Sequence, residues 1–277
     1  MTSSKVEGGG GIELHVVETG DPTCRPILFI HGYSQSGDSW SRQMNSDLAD
    51  DHRLVAMDLR GHGLSDKPSE GYTDSKLWAD DVDAVIQALE LDRPILSGWS
   101  YGPLVILDYI RFYGQDDIAG INFVGGVTKL GSDEAMSVLT PEFLGLIPGF
   151  FSTDSEQSKN SLRSLLQICF ANEPSPEELD EMLERSVSVP AYVRQGLFSR
   201  AFDNDDLLSE IRIPVLITHG ANDKVVKPIA AGQHKTAMPH AQIQIVENAG
   251  HGVFWDAPDA FHQGLRTFCK PEMHAAI

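Results

Sequence analysis

The sequence predicts an α/β fold with a mostly parallel central sheet flanked by helices. Short apolar runs bounded by turn residues recur along the chain, and longer amphipathic stretches separate them. This alternation stops once, from about residue 128 to residue 208, where no convincing strand occurs. We therefore expect a core domain of residues 1–127 and 209–277, and a helical insertion of residues 128–208.

The apolar runs define the predicted strands. Each is only a few residues long and has turn residues on either side, which is typical of strands buried in a parallel sheet. The predicted strands are Ile12–Glu18, Pro26–Ile30, Leu54–Met57, Ile95–Gly98, Ile121–Gly125, Pro214–Thr218 and Gln242–Val246.

Helical periodicity predicts the elements between these strands. In the first predicted helix apolar residues recur at intervals of three and four, and the others have a proline at or near the start, where a missing N–H costs nothing. The predicted core helices are Ser75–Leu91, Pro103–Tyr113, Pro228–Ala237 and Pro258–Phe268. The insertion contains a Leu/Phe-rich stretch and an acidic helical pattern, at Phe143–Phe151 and Pro176–Val187.

The composition is acidic and otherwise typical of a globular protein. The 277 residues include 21 Lys and Arg against 40 Asp and Glu, a formal charge of −19, and 41% are hydrophobic. Such a charge repels nucleic acid and anionic lipid surfaces, so we expect neither as a partner. Residues 1–11 contain no apolar stretch of signal-peptide length, and no segment approaches a membrane span. We therefore expect a cytoplasmic protein.

The cysteines give no sign of a metal or disulfide site. Cys24, Cys169 and Cys269 lie far apart and have no paired spacing. Neither a disulfide framework nor a zinc site is indicated, so we expect structural thiols and no metal.

The strongest chemical signal is the segment Gly98-Trp99-Ser100-Tyr101-Gly102. It follows an apolar strand and opens an apolar helix, which is the context that a nucleophile elbow requires. The elbow places a serine on a tight, strained turn, and small flanking residues let strand and helix approach beneath it. Ser100 is therefore the predicted nucleophile.

A serine hydroxyl needs a histidine to remove its proton and a carboxylate to orient that histidine. His251 follows the last predicted strand in a loop that can present its ring above the sheet edge. Asp223 lies in the turn after the preceding predicted strand. The chain order Ser100, Asp223, His251 is the order described for α/β-hydrolases.

An acyl-transfer enzyme also needs two donors for the oxyanion of its intermediate. The backbone N–H of Tyr101 follows the nucleophile directly. The second donor is predicted to be the backbone N–H of Tyr33, in the loop Ile30-His31-Gly32-Tyr33-Ser34 after an earlier strand. We interpret His31 as a structural residue of that loop rather than as a base.

At these residues the chain resembles the α/β-hydrolase superfamily, in particular its capped esterases, lactonases and cofactor-free haloperoxidases. The resemblance extends over nearly the whole chain and adds the segments Asp58–Ser65, His219-Gly220 and Asn248–His251. It implies the α/β-hydrolase fold, a structural role for His62, and a lid formed by the insertion. Pro103 departs from the family, because many members have a second glycine or another small residue at this position. The departure affects the expected shape of the pocket rather than the expected chemistry.

The resemblance also implies that the lid supplies the pocket wall opposite the nucleophile. Apolar lid residues and aromatic residues near the motifs are the candidate substrate-binding positions, and they suit an acyl or aryl group. The alternative is that these side chains only pack the lid onto the core. The candidates are Trp40, Trp99, Phe143, Leu146, Ile147, Phe151 and Trp255.

The leading hypothesis is hydrolysis of a carboxylic ester or lactone, such as an N-acyl homoserine lactone, through an acyl-enzyme and without a cofactor. Ser100 argues against dehalogenases and epoxide hydrolases, which have Asp at the elbow. Perhydrolysis of small acids and hydrolysis of carbon–carbon bonds remain open. A rival from another class is a ligand receptor with this fold and slow or single turnover.

Overall fold

The structure is a computed structural model that describes residues 1–270. Its sheet has eight strands in the spatial order β1-β2-β4-β3-β5-β6-β7-β8. β1 pairs antiparallel with β2 and β2 with β4, and every other neighbouring pair is parallel. The strands are β1 Thr2–Glu7, β2 Glu13–Thr19, β3 Pro26–Ile30, β4 Arg53–Met57, β5 Ile95–Trp99, β6 Gly120–Val124, β7 Val215–Gly220 and β8 Gln242–Val246. The predicted α/β-hydrolase fold, with a mostly parallel sheet, is confirmed.

Every residue of the central strands β3, β5 and β6 is buried. A parallel sheet is covered on both faces, so its strands are continuous apolar runs rather than alternating ones. This is why these strands could be located in the sequence. β1 was not predicted, because only Val6 of its residues is buried and the strand lies at the sheet edge.

Helices cover the sheet and form the segment between β6 and β7. The structure has short 3-10 turns at Gly9–Gly11 and Gly37–Trp40. The helices are α1 Ser41–Met44, α2 Leu48–Asp51, α3 Ser75–Ala88, α4 Gly102–Tyr113, α5 Asp133–Ser137, α6 Pro141–Phe150, α7 Ser155–Cys169, α8 Pro176–Ser188, α9 Ala191–Phe198, α10 Asp205–Glu210, α11 Ile229–Ala237, α12 Val253–Asp256 and α13 Pro258–Phe268.

Local sequence explains where the main helices begin. The side chain of Asp74 accepts a hydrogen bond from the amide of Lys76 and so caps α3. In α8, Ser175 and Glu178 form a reciprocal capping box. α4 is buried from Gly102 through Ile110, which lets it support the strand–helix turn that precedes it.

The insertion is attached to the core by buried polar contacts. Ser34 Oγ donates to the carbonyl of Ser186 over 3.0 Å, and Gln35 Nε2 donates to Ser186 Oγ over 2.6 Å. Arg200 forms a buried ion pair of 2.5 Å with Asp108 of α4. These contacts fix the insertion beside the carboxyl ends of the strands. Within residues 1–270, no helix has the length and apolar character needed to cross a membrane.

Candidate active site

Ser100 lies on the sharp turn between β5 and α4. Its φ is +58°, a left-handed conformation that is unfavourable for a residue with a Cβ. Glycines on either side make the turn possible. A Cβ at Gly98 would lie 2.7 Å from the carbonyl carbon of Gly102, and a Cβ at Gly102 would lie 2.7 Å from the carbonyl oxygen of Ile30. The sequence at the elbow is therefore required by the close approach of strand and helix.

Two backbone hydrogen bonds hold Ser100 in this conformation. Its amide donates to the carbonyl of Val124 over 2.9 Å, and its own carbonyl accepts from the amide of Val127 over 3.1 Å. The side chain is only partly buried, so a substrate can reach the hydroxyl.

Asp223 and His251 are brought together by the loops that follow β7 and β8. His251 Nδ1 donates to Asp223 Oδ2 over 2.8 Å. The other carboxylate oxygen of Asp223 accepts from the amides of Val225 and Val226, over 2.7 and 2.9 Å. These bonds fix the carboxylate, which in turn fixes the orientation and tautomer of the imidazole.

Asp223 is almost completely buried and nevertheless favours its charged form. Burial alone would raise the pKa of the carboxyl, but attraction to His251 and the hydrogen bonds from His219 and His251 hold that pKa well below its ordinary value. His219 Nε2 lies 3.1 Å from Asp223 Oδ2 and 2.9 Å from the carbonyl oxygen of Val226. Both neighbours are acceptors, so this nitrogen carries a proton. His219 therefore supports the carboxylate as a second, structural donor.

The ring of His251 is buried, and its Nε2 has no hydrogen-bond partner among the described residues. The backbone of the same residue is anchored, because Trp99 Nε1 donates to its carbonyl over 3.0 Å. Gly125 leaves space for the ring, since a Cβ there would lie 2.9 Å from His251 Nδ1. Because Nδ1 donates to Asp223, the free Nε2 has a lone pair that can accept a proton.

The loop after β3 lies directly against Ser100. A Cβ at Gly32 would be 3.0 Å from the Cβ of Ser100. Within residues 1–270, the backbone amides of Tyr33 and Tyr101 donate to no other protein group. Two free amides beside the serine match the arrangement of an oxyanion hole.

His31 supports this loop rather than acting as a base. Its Nδ1 donates to the carbonyl of Gly32 over 2.8 Å, and its Nε2 accepts from the amide of Leu59 over 3.0 Å. Burial lowers the pKa of His31 to about 4. Both ring nitrogens are therefore occupied in the neutral form.

Comparison with known proteins places this geometry in a family. The family model described as alpha/beta hydrolase fold matches residues 25–258. The chain belongs to the α/β-hydrolase fold family. The hydrolase is 30% identical to the AB hydrolase superfamily protein YisY of Bacillus subtilis, over 88% of this chain and 91% of that protein.

Two further similarities indicate the branch of the family. The hydrolase is 29% identical to a non-heme chloroperoxidase of Streptomyces lividans, over 94% of this chain and 97% of that protein. It superimposes on the crystal structure of the esterase RhEst1 from Rhodococcus sp. with a TM-score of 0.89 and 36% identity, covering 97% of this chain and 98% of that one. The resemblance to the esterase and haloperoxidase branch is thus confirmed.

A small cavity of about 40 Å³ opens beside Ser100. The core contributes the serine, the two tyrosines of the free amides and a pair of valines that follow Asp223, and the insertion contributes mainly apolar side chains. The lining residues are Tyr33, Ser100, Tyr101, Val127, Lys129, Leu130, Ala135, Leu139, Phe143, Phe198, Val225 and Val226. Ser100 therefore faces a largely apolar space.

Of the predicted substrate-binding residues, Phe143 lies in the wall of this cavity. Trp99 and Trp255 line a separate, very small pocket together with Phe170. Trp40 is fully buried in the core and stacks on Phe29.

The three remaining candidates, Leu146, Ile147 and Phe151, are partly buried and pack against the core cluster without lining the cavity. Several residues of the cavity wall were not identified from the sequence. Val225 and Val226 could have been found, because they lie two and three residues after Asp223. Phe198 comes from α9, and nothing in its sequence context distinguishes it from other apolar residues of the insertion.

The cysteines lie outside this cavity, and all three are free thiols. Burial raises the pKa of Cys169, and it raises the pKa of Cys269 to about 12. Both buried thiols are therefore unreactive. Among the described residues, no group of three or more His, Cys, Asp and Glu side chains is arranged to hold a metal ion.

Proposed function

We propose that this hydrolase cleaves a carboxylic ester or lactone through an acyl-enzyme formed on Ser100. The observation that carries the proposal is the arrangement around Ser100: a partly exposed serine with φ +58°, two free amides, and a His251 whose Nδ1 is bound by Asp223 while Nε2 is free. These are the parts that serine acyl transfer requires.

In the acylation step, Ser100 Oγ attacks the carbonyl carbon of the substrate while His251 Nε2 accepts the hydroxyl proton. Asp223 stabilises the resulting imidazolium, with which it shares a 2.8 Å hydrogen bond. The negative oxygen of the tetrahedral intermediate accepts from the amides of Tyr33 and Tyr101. The intermediate then expels the alcohol, which takes the proton from His251.

In the deacylation step, a water molecule replaces the alcohol. His251 Nε2 removes its proton as the oxygen attacks the acyl carbon, and the same two amides bind the second oxyanion. Collapse releases the acid and returns the proton to Ser100. With a lactone, the leaving alcohol remains attached to the acyl group, and the product is one hydroxy acid.

The apolar wall that faces Ser100 supports an uncharged acyl group as the part of the substrate that enters the cavity. We further propose that residues 128–208 act as a cap domain, because Leu130, Leu139, Phe143 and Phe198 of this segment form that wall. An N-acyl homoserine lactone is one candidate of this class, since it joins a ring ester to an apolar tail.

The test is hydrolysis of a p-nitrophenyl ester by the wild type and by Ser100→Ala. We expect repeated turnover in the wild type, and loss of both hydrolysis and fluorophosphonate labelling in the variant with an unchanged unfolding temperature. Ser41→Ala is the matched control, because Ser41 is also partly exposed but lies outside the cavity. Persistent labelling of Ser100→Ala would contradict the nucleophile, and a single slow turnover by the wild type would favour a receptor.

A further inference from the structure

The catalytic cavity shares part of its wall with a second, larger space. A groove of about 430 Å³ lies beside α5, α10 and α11 and is lined by a mixture of apolar, polar and charged residues. Val127, Lys129 and Ala135 line both this groove and the cavity that contains Ser100. These three residues therefore contact both spaces.

Among the described residues, Lys129 is the only charged one in the wall of the cavity beside Ser100. Its Nζ lies 2.8 Å from Glu134 Oε1 and 2.5 Å from Asp205 Oδ2. Both acids line the outer groove, and neither lines the cavity. The ammonium is therefore held on the groove side, and the aliphatic stem supplies the contact with the cavity, as is common for lysines at an apolar boundary.

The backbone around Lys129 is firmly held. The amide of Val127 donates to the carbonyl of Ser100, and Asn204 Nδ2 donates to the carbonyl of Thr128 over 2.9 Å. Leu130 pairs with Phe202 through reciprocal backbone hydrogen bonds of 3.1 and 2.9 Å. With the backbone fixed on both sides, the side chain of Lys129 is the part of this wall that can be removed without displacing the chain.

We infer that Lys129 is a specificity-determining residue at the far end of the acyl pocket. Its stem limits the length of the acyl group, and the ion pairs with Glu134 and Asp205 keep its charge out of the cavity. The substrate class is thus an ester or lactone of an uncharged acyl group that ends at this wall. The inference rests on the proposed ester hydrolysis and deepens it.

The first test of this role is the chain-length profile of p-nitrophenyl esters from acetyl to dodecanoyl. Lys129→Ala joins the cavity to the groove, so kcat/KM for the longest chains should rise at least about 10-fold, a size that one methylene can produce in a snug pocket. The acetyl ester should change little, because it does not reach the wall. Lys129→Met restores the stem without the charge and should return the wild-type profile.

The second test moves the charge while the stem is kept. Glu134→Gln combined with Asp205→Asn releases the ammonium, which can then turn towards the cavity. We expect kcat/KM for an ester with a terminal carboxylate on its acyl group to rise about 10-fold, and kcat/KM for the matching uncharged ester to fall. The same two substitutions in Lys129→Met should have no such effect. Lys159→Ala, which removes an exposed lysine on α7, is the charge control.

The outcomes separate this inference from the function on which it rests. In one outcome the wild type hydrolyses esters, but neither Lys129→Ala nor release of the ammonium changes the chain-length and charge profiles. That outcome would overturn the role of Lys129 and leave the proposed ester hydrolysis intact. A wild type that hydrolyses no ester or lactone would overturn both. A profile that shifts equally in Lys129→Met and Lys129→Ala would assign the effect to the charge and contradict the stem as the length limit.

Discussion

The two sides of the cavity beside Ser100 are built in different ways. On the core side, Ser100, Asp223 and His251 are each fixed by named hydrogen bonds from strand ends and tight turns. On the insertion side, Phe143 and Phe198 are placed by packing in an aromatic cluster, with ring centroids 6.4 Å apart. Hydrogen bonds specify position atom by atom, whereas apolar packing specifies volume and tolerates exchange of similar side chains. We therefore expect the core side to determine the reaction and the insertion side to determine which substrates react.

The largest effect should follow substitution of Asp223. In Asp223→Asn the amide cannot hold the imidazolium of His251 and favours the wrong tautomer, so kcat should fall about 10,000-fold. The measurement is ester turnover with folding checked by circular dichroism. Asp81→Asn is the control, because Asp81 is an equally buried carboxylate that pairs with Arg60 instead. Near-normal turnover in Asp223→Asn would contradict the role of Asp223 in supporting His251 during the reaction.

A second prediction concerns the stability of the core side in acid. The folded state keeps His31 neutral with a pKa of about 4, whereas an ordinary histidine has a pKa near 6.5. The unfolded chain binds the proton first, so the free energy of unfolding should fall as pH drops from about 6.5 to about 4, by roughly 3 kcal/mol for this residue.

Urea unfolding of the wild type and of His31→Gln across this pH range measures that contribution. The variant should be less stable at pH 7 and should have a smaller pH slope. His240→Gln, which replaces an exposed histidine, is the control. An identical slope in His31→Gln and in the wild type would show that the loop after β3 is not maintained by a neutral His31.

The insertion side should respond more weakly and in a different parameter. Phe198→Ala removes an aromatic wall that also packs edge-on against Tyr33, with ring centroids 4.9 Å apart. For an ester with a medium-length acyl group we expect KM to rise about 10-fold with a smaller change in kcat, because lost uniform binding raises KM alone. Phe112→Ala, an exposed phenylalanine of α4, is the control. A loss confined to kcat would contradict the division between the two sides.

The smallest effect should come from Tyr33→Phe. The predicted oxyanion donor is the backbone amide, which this substitution keeps, so turnover should stay within about 3-fold of the wild type, far below the loss caused by removing a real oxyanion donor. The hydroxyl of Tyr33 is buried and has no partner within the described residues, so its removal should leave the unfolding temperature unchanged or raise it. A 100-fold loss of kcat would instead assign a chemical role to the hydroxyl.

The same contrast explains what could be predicted from the sequence. Ser100 and Asp223 follow β5 and β7, which are buried throughout, and the tight turn at Ser100 needs Gly at fixed offsets, at Gly98 and Gly102. His251 follows β8, in which isoleucine alternates with glutamine. Both signals are local in the sequence, so the core of the fold and the candidate reacting groups could be predicted from it. β1 was missed because a polar strand at the sheet edge carries no apolar run.

The residues of the pocket wall were harder to predict from the sequence, because contact with the cavity depends on how helices distant in sequence pack together. Trp40 and Phe198 are both aromatic, yet Trp40 lies in the core and Phe198 in the cavity wall. Lys129 belongs to no recognisable sequence motif. It contacts both the cavity and the groove because α5 and α10 pack around it. Residue type alone does not separate these cases.

The most direct test of the proposed reaction is to trap the acyl-enzyme. The wild type is mixed with excess p-nitrophenyl ester, quenched in acid within milliseconds, digested, and its peptides are weighed by mass spectrometry. We predict a mass increase equal to one acyl group on the peptide that contains Ser100, formed at the rate of the p-nitrophenol burst and absent from Ser100→Ala. An adduct on another residue, or steady turnover by Ser100→Ala, would contradict the account.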